Sequence, residues 1–127
     1  MSAPGLDDLM GSVDSPLIVV TTSAQGERAG CLVGFHSQAS IDPEHYCFWL
    51  SKANHTYRVA LRSDHFAVHF LTTADRELAR HFGALSGSET DKFSGLDSIA
   101  SDHDVPLHAD LPNRLLVERV AMLDDGG

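Results

Sequence analysis

Apolar residues along this chain come in short runs broken by polar turns, and their spacing predicts strands more often than helices. Leu17-Ile18-Val19-Val20-Thr21-Thr22 is rich in β-branched residues, and Ser23-Ala24-Gln25-Gly26-Glu27 supplies turn chemistry before a second strand begins near Gly30. The pair reads as a β-hairpin. The second strand, from Cys31 to Ser40, sets Cys31, Val33, Phe35 and Ser37 on one face and Leu32, Gly34, His36 and Gln38 on the other. Both faces mix apolar and polar groups, as a strand beside a partly wet cavity would. Ile41-Asp42-Pro43-Glu44 must turn. Tyr46 to Ser51 is nearly continuous apolar, which predicts a third strand buried on both faces.

Helical spacing enters after that strand. Thr56 to Arg62 predicts a short helix with Val59 and Leu61 inward and Arg58 and Arg62 one turn apart outside. His65 to Leu71 returns to strand, and a second helix is expected from about Ala74 to Phe82. Thr72 or Thr73 would cap it, Asp75 and Glu77 fill its first turn, and Leu78, Ala79 and Phe82 face the core. Gly83 should end it. Ser86 to His108 reads as a long loop with at most one helical turn, and Arg114 to Met122 as a last strand before the turn residues Asp124-Asp125-Gly126-Gly127. Most strands join by short turns, which favours a small open β-barrel with inserted helices over a doubly wound sheet.

Composition narrows the function classes. At 127 residues the chain is long enough for one domain. No stretch approaches the roughly 20 apolar residues of a membrane span, and the start lacks the pattern of a signal peptide, so no membrane and a cytoplasmic location are expected. Eighteen acidic against nine basic residues give a net charge of -9, which argues against nucleic acid while leaving room for a small anion. Cys31 and Cys47 sit singly in apolar runs and read as buried thiols. Eight histidines invite a metal, but His65 and His69 on one side of a strand would stand roughly 13 Å apart at about 3.3 Å per residue, too far to share a zinc. No metal is expected.

The segment "SKANHTYRVA", Ser51 to Ala60, carries the chemistry worth weighing. If Asn54 caps the helix, the N–H groups of the next turn and the positive end of the helix dipole make an anion site, to which Lys52 adds charge and Thr56 a hydroxyl. A plain capped turn with Lys52 and His55 solvated around it is the competing reading. His36 is either a ring donor in the cavity or a core histidine. Asp91-Lys92-Phe93 is either a surface turn or a grip on a flat anionic ligand.

In order and spacing, these segments resemble the flavin reductase-like family of FMN-binding split β-barrels. The resemblance rests on "LIVVTT", Gly26 and Gly30, "SQASIDPE", the apolar strand with "SKANHT", "HFAVHFL", "RELARHF" and "DKFSG", and it covers roughly residues 13 to 123. It implies a mainly β fold, a β-barrel with short helices over residues 13–127, with the family's last strand lacking or truncated, behind a loosely ordered segment 1–12. It implies a homodimer with FMN, or FAD, at the subunit interface. Phe35, His36 and Ser37 would flank the ring, Ser51, Lys52, Asn54, His55 and Thr56 would meet the phosphate and ribityl end, and Lys92 and Phe93 would close over it. NADH or NADPH would serve as co-substrate, with an oxygenase partner as one destination for reduced flavin, and His36 is the only catalytic candidate. The alternative is a flavin-, deazaflavin- or haem-binding module without reductase turnover. This chain departs from the family at Leu32, Gly34 and Phe35, where hydroxyl side chains are fewer, and at Asn54-His55-Thr56, where the family's phosphate turn carries an arginine.

Overall fold

The computed structural model describes residues 5, 17–84, 98–101 and 103–124; Lys92, Phe93 and the segment 1–12, apart from Gly5, lie outside them. Strands β1 (Ile18–Ala24) and β2 (Glu27–Val33) form the expected hairpin, with Val20 opposite Cys31. Gln25 and Gly26 both take positive φ, 53° and 81°, the backbone that a two-residue hairpin turn needs to match strand twist. Strand β5 (His65–Phe70) pairs antiparallel with the other edge of β1, and β8 (Arg114–Glu118) with β5, giving a four-stranded sheet in the order β2-β1-β5-β8.

The expected long second strand is interrupted. It splits at Gly34 and Phe35 into β2 and β3 (His36–Ile41), and β3 turns through Asp42-Pro43 to pair with β4 (Glu44–Phe48) in a separate two-stranded sheet. Gly34 at the break lacks the side chain that would hold a strand flat, so the chain leaves the first sheet there. The expectation that the third strand is buried on both faces fails. Tyr46, Cys47 and Phe48 are half-buried and Trp49 is 46% exposed, because β4 packs one face on the main sheet and turns the other outward. Cys31 and Cys47 are free thiols, the first buried and the second half-buried.

Two further corrections concern the connections. Leu61 is exposed rather than inward, because α1 (His55–Ala60) ends one residue before it. The stretch read as a long loop contains two three-residue strands, β6 (Ser98–Ala100) and β7 (Pro106–His108), too short for periodicity to reveal. The second helix forms where expected, but Gly83 does not end it: a single 3-10 turn at Thr73–Asp75, capped reciprocally by Thr72 and Asp75, leads into α2 (Arg76–Ala84), which runs through Gly83.

The main sheet is covered on both sides. One face presents Ile18, Val20, Cys31, Val33, Phe66 and Val68 to Tyr46, Phe48 and Leu50. On the other, Val19 packs under Phe82 of α2, and Thr21 Oγ1 donates to the Pro106 carbonyl at 2.6 Å. Helix α1 plugs Val59 against Ala24 and Ala29. Its start is fixed by Asn54, whose Oδ1 accepts from the Thr56 N–H at 2.9 Å. Replacing Asn54 with alanine is expected to cost about 1 kcal/mol in urea unfolding, as loss of an N-cap does elsewhere; an unchanged midpoint would show that the cap does not contribute.

Candidate functional site

The turn after β4 is built from its own backbone inward. Ser51 accepts twice, its Oγ from the Ala53 N–H at 3.3 Å and its carbonyl from the Asn54 N–H at 3.0 Å. These bonds fold 51–54 into the turn that leads into α1. The cation candidates Lys52 and His55 each meet a carboxylate. Lys52 Nζ lies 2.7 Å from Asp124 Oδ1, and His55 Nε2 lies 2.6 Å from Glu27 Oε2.

Glu27 is itself held from behind. Arg62 reaches its Oε1 at 2.9 Å through Nη2, while Nη1 donates to Gln25 Oε1 at the same distance. The hydrogen bond from Arg62 is the main reason the Glu27 carboxyl stays below its ordinary range, with His55 adding to it, so Glu27 is a carboxylate at neutral pH. The Nδ1 of His55 is enclosed and has no hydrogen-bond partner among the described residues. Thr56, in contrast, is almost wholly buried; its place is in the packing under the turn rather than on its surface.

The segment Phe35 to Ser37 shows two faces. Phe35 is 75% exposed, and its carbonyl accepts from the Trp49 N–H at 3.0 Å, which sets two exposed aromatic residues on adjacent strand ends. Ser37 is exposed beside them, its Oγ donating to the Gln38 carbonyl. His36 turns the other way. Its ring stacks on Tyr46, with centroids 5.8 Å apart, and Nδ1 shares a 2.6 Å hydrogen bond with the Tyr46 hydroxyl, while Tyr46 meets Phe70 edge-on. Burial raises the Tyr46 phenol above its ordinary value, with Cys47 adding to it, so the hydroxyl keeps its proton at neutral pH.

Between β4 and β8 runs a groove of about 1210 Å³, lined by Tyr46, Phe48, Phe70 and Leu116 and also by Lys52 and Arg119. The irregular chain from Arg119 to Asp124 forms its outer wall. Sequence reasoning named Lys52 and His55 but not their partners. Glu27 and Arg62 stand 35 positions apart, and only the return of α1 onto the β1–β2 hairpin brings them together. Among the described residues no three histidine, cysteine or acidic side chains gather as a metal site, and no described helix is long and apolar enough to cross a membrane.

Residues 10–121 match the family model of the flavin reductase like domain, most of the chain. The chain belongs to that family. Its fold agrees with solved structures at low identity. The flavin reductase-like chain superposes on an NADH:FAD oxidoreductase of Streptomyces globisporus C-1027 with a TM-score of 0.84 at 20% identity, covering 99% of this chain and 78% of that one. Flavoredoxin of Desulfovibrio vulgaris (Miyazaki F) gives 0.80 at 21% identity, covering 97% and 69%. An FMN-binding protein of Thermus thermophilus gives 0.84 at 17%, covering 99% and 70%. The fold of this flavin reductase-like domain is therefore mainly β with short helices, of the split-barrel type, and flavin-binding oxidoreductases are its relatives.

Proposed function

We propose that this chain binds FMN and works as an NAD(P)H-dependent flavin reductase. The phosphate would lie at the turn Ser51 to Thr56 and the ring against Phe35 and Ser37. The observation that carries this reading is the family match over residues 10–121. Lys52 adds a local argument, because its ammonium already holds an oxyanion, the Asp124 carboxylate, at 2.7 Å and so can reach a phosphate oxygen. The donor set fits a phosphate, with Lys52 as its charge, Asn54 as the frame and the buried Thr56 as support from beneath.

Bound flavin supplies the redox chemistry, accepting a hydride and passing electrons on; the protein binds, orients and shields. Exposed Phe35 and Trp49 give a flat apolar face for an aromatic ring system. The same exposed residues support a homodimer that covers them. FAD in place of FMN, and an oxygenase or another acceptor as recipient of reduced flavin, belong to the same reading, as does a cytoplasmic location. His36 is the residue proposed for proton handling, with its ring orientation set by Tyr46.

Purified protein should be yellow and release FMN on denaturation, and added FMN should support NADH or NADPH oxidation. Flavin binding without oxidation would instead make the chain a binding module. Lys52→Ala should weaken FMN about tenfold, or 1.4 kcal/mol, while hardly changing riboflavin, which lacks the phosphate. Equal losses for both ligands would place the phosphate elsewhere.

A further inference from the structure

The two carboxylates at the phosphate turn are held very differently. Glu27 is locked between His55 and the Arg62 guanidinium, on a hairpin whose strands are fully paired. Asp124 lies on the irregular stretch beyond β8, with its side chain 61% exposed, and it reaches Lys52 from the outer wall of the groove. Glu27 is a fixture of the turn, and Asp124 is the more exposed of the two carboxylates. We infer that Asp124 is a specificity-determining residue, a built-in carboxylate that occupies Lys52 and must yield it to the phosphate of a phosphorylated flavin. This rests on the reading that Lys52 meets the phosphate.

The physical argument is competition for one cation. A phosphate dianion and a carboxylate both within contact of a single ammonium repel each other, so binding FMN requires Asp124 to withdraw. Riboflavin has no phosphate and leaves the Lys52–Asp124 pair intact. Asp124 therefore weakens FMN selectively and narrows the preference for the phosphorylated ligand. An ion pair this exposed contributes little, so the effect is modest, about threefold in affinity.

The test is a double-mutant cycle read by FMN and riboflavin affinity, using flavin fluorescence quenching at low salt, on the whole 127-residue chain. Asp124→Asn keeps the shape and removes the charge, and at an exposed position it should not disturb folding. The expected result is FMN binding about threefold tighter, riboflavin unchanged, and no gain when Asp124→Asn is added to Lys52→Ala. A gain that persists in the Lys52→Ala background would overturn the inference, since it would report only the loss of one negative charge. So would unchanged FMN affinity in Asp124→Asn, while a lowered FMN-to-riboflavin preference in Lys52→Ala would leave the phosphate reading standing. If Lys52→Ala leaves that preference unaltered, the phosphate reading of Lys52 fails and this inference goes with it.

Discussion

Truncating Phe82 to alanine is expected to destabilise the domain by about 3 to 5 kcal/mol, the range for removing a buried phenylalanine. The ring is 1% exposed and fills the space above Val19, with Leu32 and Leu71 at its sides, so it is the main apolar anchor of α2 on the outer face of the sheet. Neighbours on the rigid strands β1 and β2 cannot collapse into the hole, which places the cost at the upper end. A domain of this size has roughly 5 to 15 kcal/mol to lose, so the variant should melt far earlier, or fail to fold at 37 °C. Leu78→Ala, at a half-buried position on the same helix, should cost clearly less. Equal midpoints for Phe82→Ala and the parent in urea would mean that α2 is not anchored through this ring.

Phe82 was readable from sequence because helical periodicity places it with Leu78 and Ala79 on one stripe. The β1–β2 hairpin was readable for a similar reason, a β-branched run followed by turn residues. What periodicity could not supply was the break at Gly34 and Phe35. A single glycine does not announce whether a strand bulges, bends or ends, and here the separate β3–β4 sheet settles the outcome. The exposure of Trp49 follows from the same break, since β4 pairs with β3 alone and turns part of its apolar run outward. Strands β6 and β7 were hidden by brevity.

At the candidate site the sequence named residue types and missed their pairing. Lys52, Asn54 and His55 were legible because a cap, a lysine and a histidine crowd into one turn. The carboxylates that answer them come from the β1–β2 hairpin and from beyond β8, and nothing in local sequence ties those segments to the turn. Thr56 is named by its hydroxyl alone, and spacing does not reveal that it lies almost wholly buried under the turn. His36 likewise shows a limit of alternation, since its partner Tyr46 lies across the hairpin and no spacing rule names it.

Acid should destabilise this domain well above the pH at which its carboxylates protonate, and His69 is the reason. The ring is fully buried, Nδ1 donates to the Val19 carbonyl at 3.1 Å, and Nε2 accepts from the His108 N–H at 3.2 Å. That arrangement fixes one neutral tautomer, because a proton on Nε2 would face another N–H. Burial is the largest cause that pushes His69 down to about 4; the bond to Val19 opposes the shift, and Arg114 and His108 add to it. The folded value lies below the unfolded 6.5, so the unfolded chain binds more protons in between, and stability falls as pH drops from about 6.5 toward 4. The full difference amounts to about 3 kcal/mol. Glu27, whose folded value is also lowered, acts in the same direction at lower pH, contributing above the ordinary carboxylate range and losing its effect as pH falls through it, and its exposure to solvent keeps that contribution small. Measurements between pH 7 and pH 5 therefore stay above the carboxylate range, and comparison with a His69 variant singles out the share of this ring. His69→Gln keeps a donor for Val19 and an acceptor for His108 but cannot titrate, so its urea midpoint should be lower at pH 7 and nearly flat down to pH 5, while that of the parent falls steadily. Parallel slopes for the two proteins would show that the buried imidazole does not govern the acid sensitivity.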